Sequence, residues 1–360
     1  MSNSQGEEKK SSGSSSVIEE KAPEVKKKAI GLVRLLRGGP LIALILLIIY
    51  FSFTTPHFAT VSNLLNIAEQ NAHLIIIAVG QTLVIMGAGI DLSVGAVMAL
   101  SASVMAVLAT QEVTILGMTL GPINGYLAIL IGLITGTIAG TINGTVISKG
   151  RIPDFIATLG MLETARGVAL LVTGGLPIPS HLTATEMRGY LPQQIIWMGG
   201  KEVLGIPTGP LIAIGVVVIG WLIMAHMVLG RSMLAVGGNR EAAKVSGIKV
   251  DMVKIATYAI MGAMAGMGGI VLTGRMNSAN ALMASGIELK CIAAVVIGGT
   301  NLYGGEATII GSVIGALIMG VIGNALNLLN VSAFWQRVVM GLIIITVVVF
   351  DQWRRRKFTS

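Results

Sequence analysis

Long apolar stretches recur from about residue 40 to residue 350, and nothing else in the sequence constrains the fold as strongly. A helix needs about 20 apolar residues to cross the hydrocarbon core of a bilayer. Windows of that kind lie near 40–55, 67–87, 91–110, 124–148, 153–175, 209–229, 253–274, 307–328 and 335–350. A shorter apolar run occupies 288–299 and covers little more than half the core as helix. Charged residues are only 12% of the chain, about half the share of a soluble domain. The implied fold class is an all-α polytopic membrane protein, since a helix pairs its backbone groups within one apolar segment.

The net charge of +8 is not spread as a nucleic-acid-binding surface would be, and no nucleic-acid partner is expected. It collects in the N-terminal stretch "KKKAIGLVRLLR", at Lys149 and Arg151, between Arg231 and Lys254, and in "RRRK" near the C-terminus. Basic connectors mark the cytoplasmic side of a membrane protein. If the N-terminal tail is inside, alternate crossings put each of these clusters inside only when 288–299 counts as a crossing. That gives about ten transmembrane helices with both termini cytoplasmic. Residues 1–38 read as a disordered cytoplasmic tail, 39–351 as the transmembrane domain, and 352–360 as a basic cytoplasmic tail. The first span reads as a retained signal anchor. The longest outer connector, 176–208, is either a surface for an external partner or a seal over the bundle.

Small residues are abundant, with 47 glycines. Gly132, Gly136 and Gly140, and Gly311 and Gly315, follow the four-residue spacing that lets helices pack closely in lipid. Polar residues inside apolar windows are rarer and more telling. Gly89-Ile90-Asp91-Leu92 opens the third span, and Gly286-Ile287-Glu288-Leu289 opens the short eighth. Asn143 precedes "IPDF" after the fourth span, and Asn324 precedes "VSAF" after the ninth. Spans 2–5 therefore match spans 7–10. A shift of five spans makes the second copy inverted, a construction found in transport proteins with broken helices at the substrate route.

Two readings of the acids follow. Asp91 or Ser93 can cap the helix after the glycine break, and Glu288 can do so after Gly286. Alternatively, Gly89, Asp91, Ser93, Asn143, Gly286, Glu288 and Asn324 shape a translocation route along broken helices. The two are compatible.

Catalytic motifs are missing from the sequence. The four histidines show no metal-ligand spacing, and no cofactor or metal is expected. "GIVLTGRM" has part of a phosphate-binding loop, but Arg275 stands where its lysine would be. An ATP-driven process therefore needs a second polypeptide. The connector 230–252 is the natural place for one. Asn239 suits a helix N-cap and Gly247 the residue past a helix end, leaving "REAAKVS" as about two turns. Ala242 and Ala243 give it a small surface, with Glu241 and Lys244 at the rim. The plain alternative is a basic loop beside the membrane.

Four stretches resemble one family. "GQTLVIMGAGIDLSVG", "FIATLGMLETARG", "AVGGNREAAKVSGI" and "ELKCIAAVVIGGTNLYGG" are similar, in order, to signatures of the sugar-type permeases of ATP-binding-cassette importers, including those for ribose, xylose, arabinose, galactose and autoinducer-2. The resemblance spans about residues 63 to 351. It implies an import permease for a monosaccharide or related polyol in a bacterial inner membrane, not itself an enzyme. It also implies an ATPase subunit, an extracytoplasmic sugar-binding protein and a second permease chain, identical or not. The coupling helix of that family would here comprise Gly237, Gly238, Asn239, Glu241, Ala242, Ala243 and Gly247. Three departures stand out: Ala88 for a usual glycine, Asp154 for a usual proline, and Lys290-Cys291 for a commoner Asp-Ala. Two other functions fit the composition, an ion-coupled secondary sugar transporter and a membrane scaffold. The first needs titratable groups deep in the spans, for which Glu69, His73 and Glu163 with Arg166 are candidates. The inverted repeat disfavours the second.

Overall fold

The computed structural model describes residues 39–115, 118–120, 122–179 and 190–358. The expected N-terminal tail, and residues 180–189 of the long connector, lie outside the described residues. Within them the helices are α1 (Gly39–Thr54), α2 (Val61–Met86), α3 (Val94–Thr110), α4 (Gly125–Gly150), α5 (Asp154–Thr173), α6 (Gln193–Gly200) and α7 (Thr208–His226). They continue as α8 (Val228–Gly238), α9 (Arg240–Val245), α10 (Val250–Met276), α11 (Ile287–Ile297), α12 (Ile309–Leu328) and α13 (Ala333–Phe358). Two small antiparallel hairpins pair β1 (Val113–Ile115) with β2 (Met118–Leu120), and β3 (Glu202–Val203) with β4 (Ile206–Pro207). The helices α4, α5, α7, α10 and α12 are each long and apolar enough to cross a membrane.

Every apolar window of the sequence has a helix. The differences lie between them. The third span starts at Val94 rather than 91, because 87–93 is not helical. The connector 230–252 is mostly helix, α8 and α9, and "RRRK" lies within α13, which runs to Phe358.

α2 and α10 form the centre. α10 packs along α4, α2 and α3, and α2 also meets α12, α7 and α11. Glycine decides how close α4 and α10 come. A methyl group on Gly144 would lie 2.7 Å from the Ile255 Cα, and one on Gly140 would lie 2.9 Å from the Gly262 Cα. On Gly136 it would meet the Gly266 Cα at 3.1 Å. The opposite face of α4 exposes Tyr126, Leu130, Ile134, Ile138, Ile142 and Val146 at helical spacing. Large apolar groups thus face outward and glycines inward, as close packing in lipid favours. A second tight seam joins α11 to α12, where a methyl on Gly315 would sit 2.8 Å from the Ala294 carbonyl carbon.

Candidate functional site

The first break begins at the end of α2, where Gly87 follows Met86. Ala88 adopts φ +54°, the left-handed region that glycine occupies more easily, and its N–H still reaches Ile85 O at 2.9 Å. Asp91 follows and is buried. Its Oδ1 accepts from the Ser93 N–H at 2.8 Å and from the Ser93 hydroxyl at 2.6 Å. Asn143 of α4 donates to that Ser93 oxygen at 2.9 Å. Ser93 stands just before α3, but it has φ −80° and ψ −9° and bonds no N–H of the first turn. The acid therefore closes a local turn with Ser93 instead of capping α3. Its geometry holds the break rather than the helix end.

The second break runs from Asn277 to Gly286, with Ala284 and Gly286 also at positive φ (57° and 81°). Gly286 precedes α11, and Glu288 lies in its first turn. The two breaks touch. A methyl on Gly95, one residue into α3, would collide with Ala284 O and lie 2.9 Å from Glu288 Oε2. That Oε2 is buried and, among the described residues, has no hydrogen-bond partner. Arg166 of α5 donates through Nη1 to Ala281 O at 2.6 Å and Met283 O at 3.0 Å. It does not form the close pair with Glu163 that their spacing suggests, because the carbonyls of the second break take its guanidinium. Asn324 sits apart from both breaks, in a reciprocal amide pair with Asn63 at 2.9 and 3.0 Å. Gly89, Asp91, Ser93 and Asn143 therefore gather at one break and Gly286 and Glu288 at the other, whereas Asn324 joins neither.

Beside the first break is a cluster that local sequence reading did not find. Lys254 Nζ of α10 contacts both carboxylate oxygens of Asp154, at 2.7 and 2.6 Å. The Tyr258 hydroxyl lies 2.8 Å from Asp154 Oδ2 and 3.3 Å from Ile90 O. Thr158 donates to Asp154 O at 2.9 Å and accepts from Leu92 N–H at 3.2 Å. Tyr258 and Lys254 are both buried. Gly89 makes room for the cluster: a methyl there would come within 2.7 Å of Asp154 Oδ2 and 2.8 Å of the Tyr258 oxygen. A buried charge needs such partners, since taking it out of water costs several kcal/mol (about) before pairing.

The connector helix α9 has the ends its sequence requires. Asn239 Oδ1 accepts from the Ala242 N–H at 3.0 Å. Beyond its last turn, Gly247 at φ +84° donates to Lys244 O at 3.0 Å, and Ile248 N–H reaches Ala243 O at 3.1 Å. Glu241, Ala242 and Lys244 are exposed, and Val245 is 88% exposed. Ala243 differs from the expectation, because it is buried against the chain's own bundle. Gly237 also faces inward: a methyl there would collide with Met86 O and lie 2.9 Å from Gly305 N, while Gly238 is open. α8 therefore ends directly on the last residue of α2, next to the first break. Replacing Asn239 by Ala should cost about 1 kcal/mol of local α9 stability. The check is faster hydrogen exchange at the Ala242 amide, with the spans unaffected.

A family model described as branched-chain amino acid transport system / permease component matches residues 63–348. The chain is similar to the ribose import permease protein of Escherichia coli strain K12, 40% identical over 319 residues, which are 88% of this chain and 94% of the relative. The ribose import permease protein of Bacillus subtilis strain 168 is 41% identical over 314 residues, 87% of this chain and 92% of that one. The D-allose transport system permease protein of Escherichia coli strain K12 is 34% identical over 325 residues, covering 88% and 91%. No solved structure matches.

Proposed function

This chain belongs to the permease-component family of those transport systems, and on that premise we propose that it carries a monosaccharide or related polyol inward, driven by a separate ATP-binding-cassette ATPase. Such permeases are multi-pass proteins of the inner membrane and not themselves enzymes. The sugar arrives on an extracytoplasmic binding protein, and a second permease chain completes the pathway. α9 docks the ATPase. The observation that carries this reading is α9 itself, a short helix closed at both ends that presents Glu241, Ala242, Lys244 and Val245.

In the proposed topology the residues before α1 are cytoplasmic. α1, α2, α3, α4, α5, α7, α10, α11, α12 and α13 then cross in turn, about ten crossings with both termini inside. Residues 230–252 are the cytoplasmic coupling region, 1–38 and the end of α13 are cytoplasmic, and 39–351 is the permease domain. The inverted repeat pairs α2–α5 with α10–α13. Its support is the packing: α4 lies on α10 as α12 lies on α2, and α3 meets α4 as α11 meets α12. Gly89, Asp91, Ser93, Asn143, Gly286 and Glu288 shape the route where the two breaks meet, and Asn324 fixes α12 against α2 at one end of it.

The test is reconstitution in proteoliposomes. The chain alone should accumulate none of D-ribose, L-arabinose or D-allose under a proton or sodium gradient. The chain with its ATPase and binding protein should accumulate one of them when ATP is present. Ala242→Trp places a bulky group on the exposed face of α9 and should leave the chain in the membrane without bound ATPase. Gradient-driven uptake by the chain alone, or normal ATPase capture by Ala242→Trp, overturns the reading.

A further inference from the structure

We propose that the buried Asp154–Lys254 pair, with the Tyr258 hydroxyl, is a positioning device that makes movement of α10 move the first break. This rests on the reading of α9 as the ATPase dock.

The geometry places the pair between the two. α9 ends at Val245, α10 begins at Val250, and Lys254 and Tyr258 lie one turn apart near the start of α10. A displacement at the dock therefore reaches both residues through a few residues of chain. On the other side stands the break. Lys254 grips both oxygens of Asp154, the first residue of α5. The peptide groups on either side of Asp91 are held by the same cluster: Ile90 O lies 3.3 Å from the Tyr258 oxygen, and Leu92 N–H bonds Thr158, one turn along α5 from Asp154.

The phenol gives the device two positions. A hydroxyl has one hydrogen to donate. With Asp154 at 2.8 Å and Ile90 O at 3.3 Å, the carboxylate takes it in the arrangement seen. If α10 slides relative to α5, the Tyr258 hydrogen transfers its bond to Ile90 O and pulls on the break directly. The choice of residues agrees with this. A buried ion pair is no more stabilising than well-packed apolar side chains of similar volume. It is, however, strongly directional, since both partners are penalised when they separate. Gly89 adds a second sign of fit, because any side chain there would enter the space of Asp154 Oδ2 and the Tyr258 oxygen.

The test uses the full complex of this chain with its ATPase and sugar-binding protein in proteoliposomes, with D-ribose as the probe. The readout is sugar accumulated per ATP hydrolysed, together with thermal stability. Lys254→Met and Asp154→Asn should each lower the ratio about tenfold. The double variant Asp154→Asn/Lys254→Met removes both charges; it should recover stability but not the ratio. The exchange Asp154→Lys/Lys254→Asp should recover part of the ratio. A double variant whose ratio is within twofold of the unsubstituted complex overturns the proposal, since the pair is then only structural. Should the single variants not assemble, Tyr258→Phe decides: it keeps the ion pair, and an undiminished ratio overturns the proposal whereas a reduced one supports it. Failure of the docking premise shows separately, as normal ATPase capture by Ala242→Trp.

Discussion

Gly262→Leu is expected to abolish recovery of folded protein from membranes, while Gly215→Leu, on α7, leaves it unchanged. At Gly262 even a methyl group would collide with Gly136 O and lie 2.9 Å from the Cα and N of Gly140. These are backbone atoms of α4, so no side chain can rotate out of the way. Inserting extra carbons into a packed interior costs about 1–3 kcal/mol even when neighbours can shift. Here α4 and α10 would have to separate along their whole seam. Gly215 has nothing within 4 Å of an added methyl group, and a leucine there also gains helix propensity of roughly 1 kcal/mol. Size-exclusion profiles of detergent extracts, followed by thermal unfolding, separate the two. Equal yields of Gly262→Leu and Gly215→Leu would show that the seam is not the limiting contact.

Lys254→Met carries the second largest effect. It strands the Asp154 carboxylate in a site where the pair's side chains are 11% and 17% exposed. Removing one partner of a buried pair typically costs about 3–5 kcal/mol. Asp154→Asn should cost less, because the amide still accepts from Lys254 and Tyr258. The double variant should regain most of the loss, because no unpaired charge remains. A double-mutant cycle on thermal stability measures the coupling. A cycle that closes with additive losses would mean that solvent, not Lys254, compensates Asp154. By contrast, the Arg240–Asp251 pair, at 3.9 Å with side chains more than half exposed, should show almost no coupling.

Hydropathy made the apolar helices legible because a helix that can cross a bilayer needs its own run of apolar residues, and that requirement is local. The first break was legible for a similar reason: "GAGIDLS" combines a flexible backbone with a charge that could not lie in mid-helix unaided. The ends of α9 were legible because Asn239 and Gly247 each do a job that depends on neighbours three or four residues away. What was hidden depends on residues far apart in sequence. Asp154 and Lys254 are a hundred positions apart, and nothing beside either announces the other. Asn63 and Asn324 are paired across an even longer interval. The inward orientation of Ala243 was hidden too, since it follows from how α9 lies on the bundle, not from its sequence. Arg166 shows the converse error. Its spacing from Glu163 favoured a local ion pair, and the carbonyls of Ala281 and Met283 take its guanidinium instead.

The closure of α9 at both ends also bears on kinetics. Most exposed six-residue segments are unstructured alone and must be ordered by whatever binds them, at a cost in conformational entropy. Here the side chain of Asn239 and the left-handed Gly247 have already met that cost within the chain. In the proposed docking role α9 offers a rigid surface, so association of a partner should approach the rate of ordinary rigid docking, and changes on the Glu241–Val245 face should alter how long it stays far more than how fast it comes.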